Sequence, residues 1–266
     1  MAVFPLRRLG IDVWPVYTVN FSNHTRYPTT HGFVVDTKDV LDIVQGVDER
    51  GALAQSAAVL TGYQGSSEIG EAILSAVALT KERNPEAIYC ADPVMGDVGR
   101  GFFVAPGIPE FIRDRVVAVA DMMTPNLFEL EYLTSRTTHS LEEVIDAAND
   151  LRMMGPEVVL VTSVVGDDLG EDTLRMLLVT SEGAWVVETP LLDRVFGGSG
   201  DLTAAVFLAY WLQNPEPGFV LSKTASVVYS LLKETVDADS EEILIVQGQD
   251  NLVNPSYVFT AVKIDN

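Results

Sequence analysis

The stretch that decides the fold is Val195-Phe196-Gly197-Gly198-Ser199-Gly200-Asp201-Leu202, which runs into the apolar segment Thr203 to Leu212. Three glycines leave the backbone free to turn its N–H groups inward, because no Cβ blocks positive φ or the close approach of a ligand. A helix starting there adds the partial positive charge of its N-terminus, so one spot suits a phosphate. Asp201 stands in the middle of this anion nest. A carboxylate beside a phosphate is repulsive unless it handles a proton. The pattern therefore predicts phosphoryl transfer, with Asp201 as the base facing an acceptor hydroxyl. Taken alone, the residues leave a capped loop open as the alternative. They are not a Walker loop, since no G-x-x-x-x-G-K-[ST] is present, and Thr203 stands where a dinucleotide fingerprint needs its third glycine.

Composition narrows the partners. The 266 residues suffice for one large α/β domain with a substantial core, and the net charge is −21. So acidic a chain is a poor partner for nucleic acid or an anionic membrane. A nucleotide triphosphate approaching it needs local amides and a divalent cation to offset repulsion. Cys90 is the single cysteine and lies in the apolar run Ala87 to Ala91, so it reads as a buried thiol. No apolar stretch reaches membrane-spanning length, and the protein is expected in the cytoplasm.

Outward from the nest, strands alternate with helices. Ala2 to Leu9 reads as a helix closed by Gly10, and Ile11 to Val19 as a strand ending in the donor-rich run Asn20 to Thr25. Asp39 to Leu53 is helical in pattern, Ser56 to Leu60 a short strand, Ser67 to Arg83 a helix stopping before Pro85, and Ala87 to Ala91 a buried strand. Gly99 and Gly101 flank Arg100, as in a covering loop. Ile108 to Ala118 is helical, a short strand lies around Met122, and Thr124-Pro125-Asn126 opens a helix carrying Glu129. Ser140 with Glu143 reads as a capping box ahead of an apolar stripe ended by Gly155. Val158 to Val161 is a strand, Leu174 to Thr180 and Ala184 to Glu188 a hairpin about Glu182-Gly183, Val220 to Val236 a helix, and Ile243 to Val246 a strand. This alternation predicts one domain with a mostly parallel sheet covered on both faces.

In such a sheet the C-terminal strand ends share one edge. There the pattern gathers Asn20 to Thr25, Asp92 to Asp97, Thr124 to Glu129 and Thr162 beside the glycine nest. Asp92, Asp97 and Glu129 offer hard oxygen ligands for Mg²⁺ or a monovalent cation, and Thr124 and Thr162 further oxygens. Each of these acids alone also fits a turn or a solvated helix. His24 reads as a ligand contact or a loop hydrogen bond, while Tyr63 and Tyr27 can stack on a flat ring.

Phe4-Pro5-Leu6-Arg7-Arg8-Leu9-Gly10, Val19-Asn20-Phe21-Ser22-Asn23-His24-Thr25, Thr61-Gly62-Tyr63, Asp92-Pro93-Val94-Met95-Gly96-Asp97, Thr124-Pro125-Asn126 with Glu129, Gly198-Ser199-Gly200-Asp201 and Asn254-Pro255 follow one another in an order that resembles the pyridoxal kinases. The resemblance implies a ribokinase-like fold, a three-layer α-β-α sandwich built as a single kinase domain over 1–266, and a homodimer. It implies phosphorylation of the 5′-hydroxymethyl of pyridoxal, pyridoxine or pyridoxamine by ATP with Mg²⁺ and often K⁺. Asp201 is then the base, and Gly198, Ser199 and Gly200 the anion hole. Val19, Thr25 and Tyr63 line the pyridine pocket. Asp92, Thr124, Asn126, Glu129, Thr162 and Leu192 face the nucleotide, and Asp97, Glu129, Asp92 and Thr162 the metals.

Two features depart from that family. Arg26-Tyr27-Pro28-Thr29-Thr30-His31-Gly32 replaces a glycine- and tryptophan-containing loop, and bears on vitamer preference. The family also opens with a strand and a serine-bearing turn before the Phe4 segment. The chain is therefore expected to be short by roughly 20 residues and weakly active. The alternatives are a hydroxymethylpyrimidine kinase, a branch that generally carries cysteine where Asp201 stands, and a non-catalytic vitamin B6 binding protein.

Overall fold

Period-two alternation along the central strands divides the apolar side chains between two faces, and each face is closed by its own helices. The computed structural model describes residues 1–164 and 172–264. In chain order its elements are α1 (Val3–Arg8), β1 (Val19–Phe21), β2 (Gly32–Val34), α2 (Thr37–Glu49), β3 (Ala58–Thr61), α3 (Ser67–Arg83), β4 (Ile88–Ala91), β5 (Gly96–Asp97) and β6 (Gly101–Phe102). There follow α4 (Ile108–Phe111), β7 (Met122–Met123), α5 (Leu127–Thr134), α6 (Leu141–Met154), β8 (Val158–Val164), β9 (Thr173–Thr180), β10 (Gly183–Pro190), α7 (Ser199–Gln213), α8 (Pro217–Asp237) and β11 (Val262–Ile264).

The main sheet has seven strands in the order β11-β10-β9-β8-β7-β4-β3. β3, β4, β7 and β8 pair in parallel, and β9, β10 and β11 continue antiparallel, so five of the seven strands run one way. On one face Tyr89, Ala91, Met123, Val159, Val161, Leu177 and Val179 pack with residues of α4, α5 and α6. On the other, Cys90, Met122, Val158, Leu160, Met176, Leu178 and Trp185 pack beneath α7 and α8. Two cores on one sheet make the three-layer α-β-α sandwich. Burying about 20 large side chains per face, at roughly 1.5–3 kcal/mol each, supplies the main force holding the layers together.

The nest helix is deeply enclosed for a helix. From Leu202 to Tyr210 every residue of α7 is buried, which is why its sequence is apolar all round rather than amphipathic. α1 lies against it through Leu6, Ala205 and Ala209, and Gly10 ends α1 with φ +84°.

Three expectations need correction. Ile11 to Val19 is not a strand of the sheet: only Val19 is in a ladder, as the first residue of β1, which pairs with β2 in a separate two-stranded flap (Val19↔Val34, Phe21↔Gly32). Pro15 interrupts the run and supplies no N–H, and Trp14 and Tyr17 are 58% and 64% exposed, so the β-like composition finds no ladder. Ile243 to Val246 is likewise not a strand. It coils tightly, with Ile245 N–H to Ile243 O at 2.8 Å and Gly248 N–H to Leu244 O at 2.7 Å, and the outer sheet position is taken by Val262–Ile264. At Ser140 the capping box is half made. Its hydroxyl accepts from Glu143 N–H, but the Glu143 carboxylate takes the amide of His139, one residue before the cap. The full capping box belongs to Asn126 and Glu129.

Candidate active site

A cleft of about 900 Å³ opens beyond the C-terminal ends of β3, β4, β7 and β8. Gly198 caps α7 in the left-handed region at φ +86°, a conformation that favours glycine. Gly197 is held to hydrogen by proximity, since a Cβ there would lie 2.9 Å from His24 Cγ. The internal bonding of α7 begins with Leu202 N–H to Gly198 O at 3.0 Å. The amides of Ser199, Gly200 and Asp201 therefore lack an intrahelical acceptor and face the cleft together with the positive end of the helix. Ser199 and Thr203 spend their hydroxyls on backbone carbonyls of Phe196 and Ser199, fixing the turn.

The residues that the resemblance assigns to the site all line this one cleft: Val19, Thr25, Tyr63, Asp92, Asp97, Thr124, Asn126, Glu129, Thr162, Leu192, Gly198, Ser199, Gly200 and Asp201, and His24 joins them. Tyr27, expected to stack on a flat ring, does not: it lies outside this cleft, its hydroxyl donating to the Glu242 carboxylate. The lining residues arrive by different routes. Asp92, Thr124 and Thr162 come from the parallel strands, as the shared edge requires, and Asn126 and Thr162 form a parallel bridge. Val19 and Thr25 do not come from a sheet edge. They hang over the cleft from the flap, tied to Tyr63 by Thr18 Oγ1 donating to Tyr63 O at 2.7 Å and by Phe21 standing edge-on to the Tyr63 ring at 6.3 Å. The segment around Gly99 is the tip of the small hairpin formed by β5 and β6, with the Arg100 guanidinium over Phe103 at 4.6 Å.

Four carboxylates dominate the centre. Glu129 is buried and accepts the amides of Met95 and Asn126, each at 2.9 Å, with Gly96 more distant at 3.5 Å. Burial drives its pKa up to about 7; the three amides oppose this and Asp97 adds to it. Asp92 accepts from Thr124 Oγ1 at 3.2 Å through one oxygen, while its buried Oδ2 has no hydrogen-bond partner. Burial first, then the charges of Glu129 and Asp201, push Asp92 far above the usual carboxylate range. Asp201 is also raised by burial, with the positive charge at Met1 and His24 pulling back. Like charges so close, with an orphaned buried oxygen, are the environment a cation relieves. Among the described residues, however, no three His, Cys, Asp or Glu side chains come together as a complete metal cage. That donor set fits Mg²⁺, which usually keeps waters and substrate phosphates as most of its ligands. Asn126 spends its side chain on structure, capping Glu129 N–H and donating to Gly96 O at 2.8 Å.

Sequence reasoning missed the apolar end of the cleft. Leu174 and Met176 reach it from β9, and Ala225, Val228, Tyr229 and Leu232 from α8 at the spacing of one helix face. Their periodicity reads only as core, so no local signal marks them. Two cations also line the cleft: Arg26, from the loop that departs from the family, donates to Val195 O, and Arg194 donates to Ser240 O.

A model of the phosphomethylpyrimidine kinase family matches residues 52–244. Over 263 residues the chain is 47% identical to pyridoxal kinase PdxY of Leifsonia xyli, covering 99% of this chain and 93% of that one. It is 48% identical over 264 residues to pyridoxal kinase PdxY of Rubrobacter xylanophilus, covering 99% and 91%. Among solved structures, pyridoxal kinase from Leishmania donovani in complex with ADP and pyridoxamine superposes with a TM-score of 0.90 at 29% identity, over 99% of this chain and 93% of that one. A putative phosphomethylpyrimidine kinase from Bacteroides thetaiotaomicron gives 0.88 at 26% identity, over 99% and 91%. With a part-buried acid in a helix-capping glycine turn, and 47–48% identity to the two PdxY enzymes over almost its whole length, the chain belongs to the pyridoxal kinase family.

Proposed function

We propose that this protein transfers the γ-phosphoryl group of ATP to the 5′-hydroxymethyl oxygen of pyridoxal, giving ADP and pyridoxal 5′-phosphate, a step of vitamin B6 salvage. The observation that carries the reading is Asp201, a part-buried carboxylate in the first turn of α7 beside three amides with no intrahelical acceptor. Val19, Thr25 and Tyr63, with Phe21 edge-on, offer a flat pocket for the pyridine ring. The apolar end, with Leu192, Met176, Val228 and Tyr229, suits the adenine. The substrate oxygen attacks the γ-phosphorus, its proton passes to Asp201, and the bond from that phosphorus to the β,γ-bridging oxygen breaks to release ADP. The nest amides hold the oxygens of the transferring group. Burial raises the affinity of Asp201 for that proton, which brings a carboxylate nearer the working pH.

Asp97, Asp92, Glu129 and Thr162 would hold Mg²⁺, and a K⁺ beside it, where these cations supply charge neutralisation for the phosphates. Glu129, with both oxygens engaged by amides, contributes mainly its charge. The site reading is tested by ADP release with pyridoxal or hydroxymethylpyrimidine as acceptor. Pyridoxal-dependent ADP and pyridoxal 5′-phosphate are expected. A preference for hydroxymethylpyrimidine, or pyridoxal binding without ADP release, would contradict it. We further read the chain as one kinase domain, homodimeric and cytoplasmic. The two cores sharing one sheet support the first, and the exposed apolar flap residues Phe33 and Val34 the second. The single cysteine, a free and buried thiol, fits the third.

A further inference from the structure

Beyond residue 244, outside the segment matched by the family model, the chain first coils through turns and the short 3-10 helix Gln249–Leu252, then from Ser256 to Ala261 runs back along α8 as an extended strap before β11 joins the sheet. The strap is held by a serine ladder. Ser230, Ser226 and Ser222 on one face of α8 accept the amides of Tyr257, Phe259 and Ala261, each at 2.9 Å. Four helical residues rise about 6.0 Å and two extended residues about 6.6 Å, so every second strap amide meets every fourth helix residue in register. At its start Asn251 accepts from Ser256, and at its end Val262 pairs with Val186. Serine is an unusual choice for the buried face of a helix, and Ser226 and Ser230 are 2% and 1% exposed. A ladder of hydroxyls fixes the position of the strap, where apolar side chains would only hold it down.

What the strap positions is Tyr229. Its ring meets Phe259 edge-to-face at 4.9 Å and Tyr257 at 5.2 Å; Tyr229 itself lines the cleft, and Phe259 and Tyr257 do not. We propose that the strap is a positioning element for the nucleotide: Phe259 and Tyr257, locked in register by Ser226 and Ser230, fix the Tyr229 ring as the wall against which the base stacks. This rests on the reading that the apolar end of the cleft takes adenine. It places a determinant of ATP affinity in residues that touch no ligand.

The test is Mg²⁺·ADP binding to the full chain by calorimetry, with pyridoxal binding and kcat measured beside it. Tyr229→Ala should weaken ADP at least tenfold. Phe259→Ala should weaken it roughly fivefold, the scale of one or two edge-to-face contacts, with pyridoxal affinity and kcat at saturating ATP within about twofold. Phe259→Tyr should restore ADP binding. Ser226→Ala, which keeps every ring and removes only the ladder hydroxyl, should reproduce the selective loss if Phe259→Ala folds poorly. ADP and pyridoxal weakening together, or ADP unchanged in both strap variants while Tyr229→Ala loses it, overturns the role of the strap alone. ADP unchanged in Tyr229→Ala overturns the adenine reading, and the strap's role with it.

Discussion

Replacing Glu129 by glutamine should change stability with a sign that depends on pH. The carboxylate has two opposing effects. One oxygen accepts Asn126 N–H at 2.9 Å and the other Met95 N–H at 2.9 Å. The amide nitrogen of glutamine must face one of those donors and leaves it unpaired in a buried site, at a cost of about 1–3 kcal/mol at any pH. Against that stands the charge. With the folded pKa raised from 4.5 to about 7, protonation favours the fold. That contribution is complete below pH 4.5 and lost as pH rises through 7. Between pH 5 and pH 8 the wild type thus forfeits about 2.5 kcal/mol that the neutral glutamine keeps. Glu129→Gln should therefore be the less stable protein at pH 5 and about equal to the wild type, or better, at pH 8. Urea unfolding at the two pH values without nucleotide or Mg²⁺ measures this. A stability difference that is the same at pH 5 and pH 8 refutes the argument, because it would mean that Glu129 is ionised throughout.

Gly198→Ala forces a side chain into φ +86°, with its Cβ 3.2 Å from Met1 Cε. It should cost about 1–2 kcal/mol in urea unfolding and raise KM for ATP; an unchanged unfolding midpoint would show that the nest tolerates a Cβ. Trp14→Ser, at a 58% exposed position outside any ladder, should shift stability by less than about 0.5 kcal/mol, whereas a loss above about 2 kcal/mol would mean that the segment packs as a strand after all.

These residues also show what the sequence discloses and what it hides. α3 was legible to the residue because its start and stop are local: Ser66 accepts Ile69 N–H as N-cap, and Pro85 lies just beyond the helix. The hairpin about Glu182-Gly183 and the polar ends of β4, β7 and β8 were legible for the same reason, since turn chemistry and strand-end polarity are written nearby. Ile11 to Thr18 misled because β-branched and aromatic content states a preference, whereas a ladder needs a partner that only the tertiary structure provides. β11 escaped notice for the converse reason: the three residues Val262-Lys263-Ile264 are too short a run for their alternation to decide a strand, and the pairing with β10 makes them one. At the site, the acids and glycines announced themselves by chemistry. The apolar wall from β9 and α8 did not, because a residue that packs on a ligand and one that packs on a core share one periodicity.

The central claim is that Asp201 takes the proton of the substrate hydroxyl within the amide nest of α7. The direct measurement is kcat for pyridoxal phosphorylation by Asp201→Asn, a variant of the same shape, with folding and Mg²⁺·ADP binding verified beside it. The account predicts a fall of roughly 10²–10⁴-fold in kcat with nucleotide affinity retained. Turnover within about threefold of the wild type would contradict it.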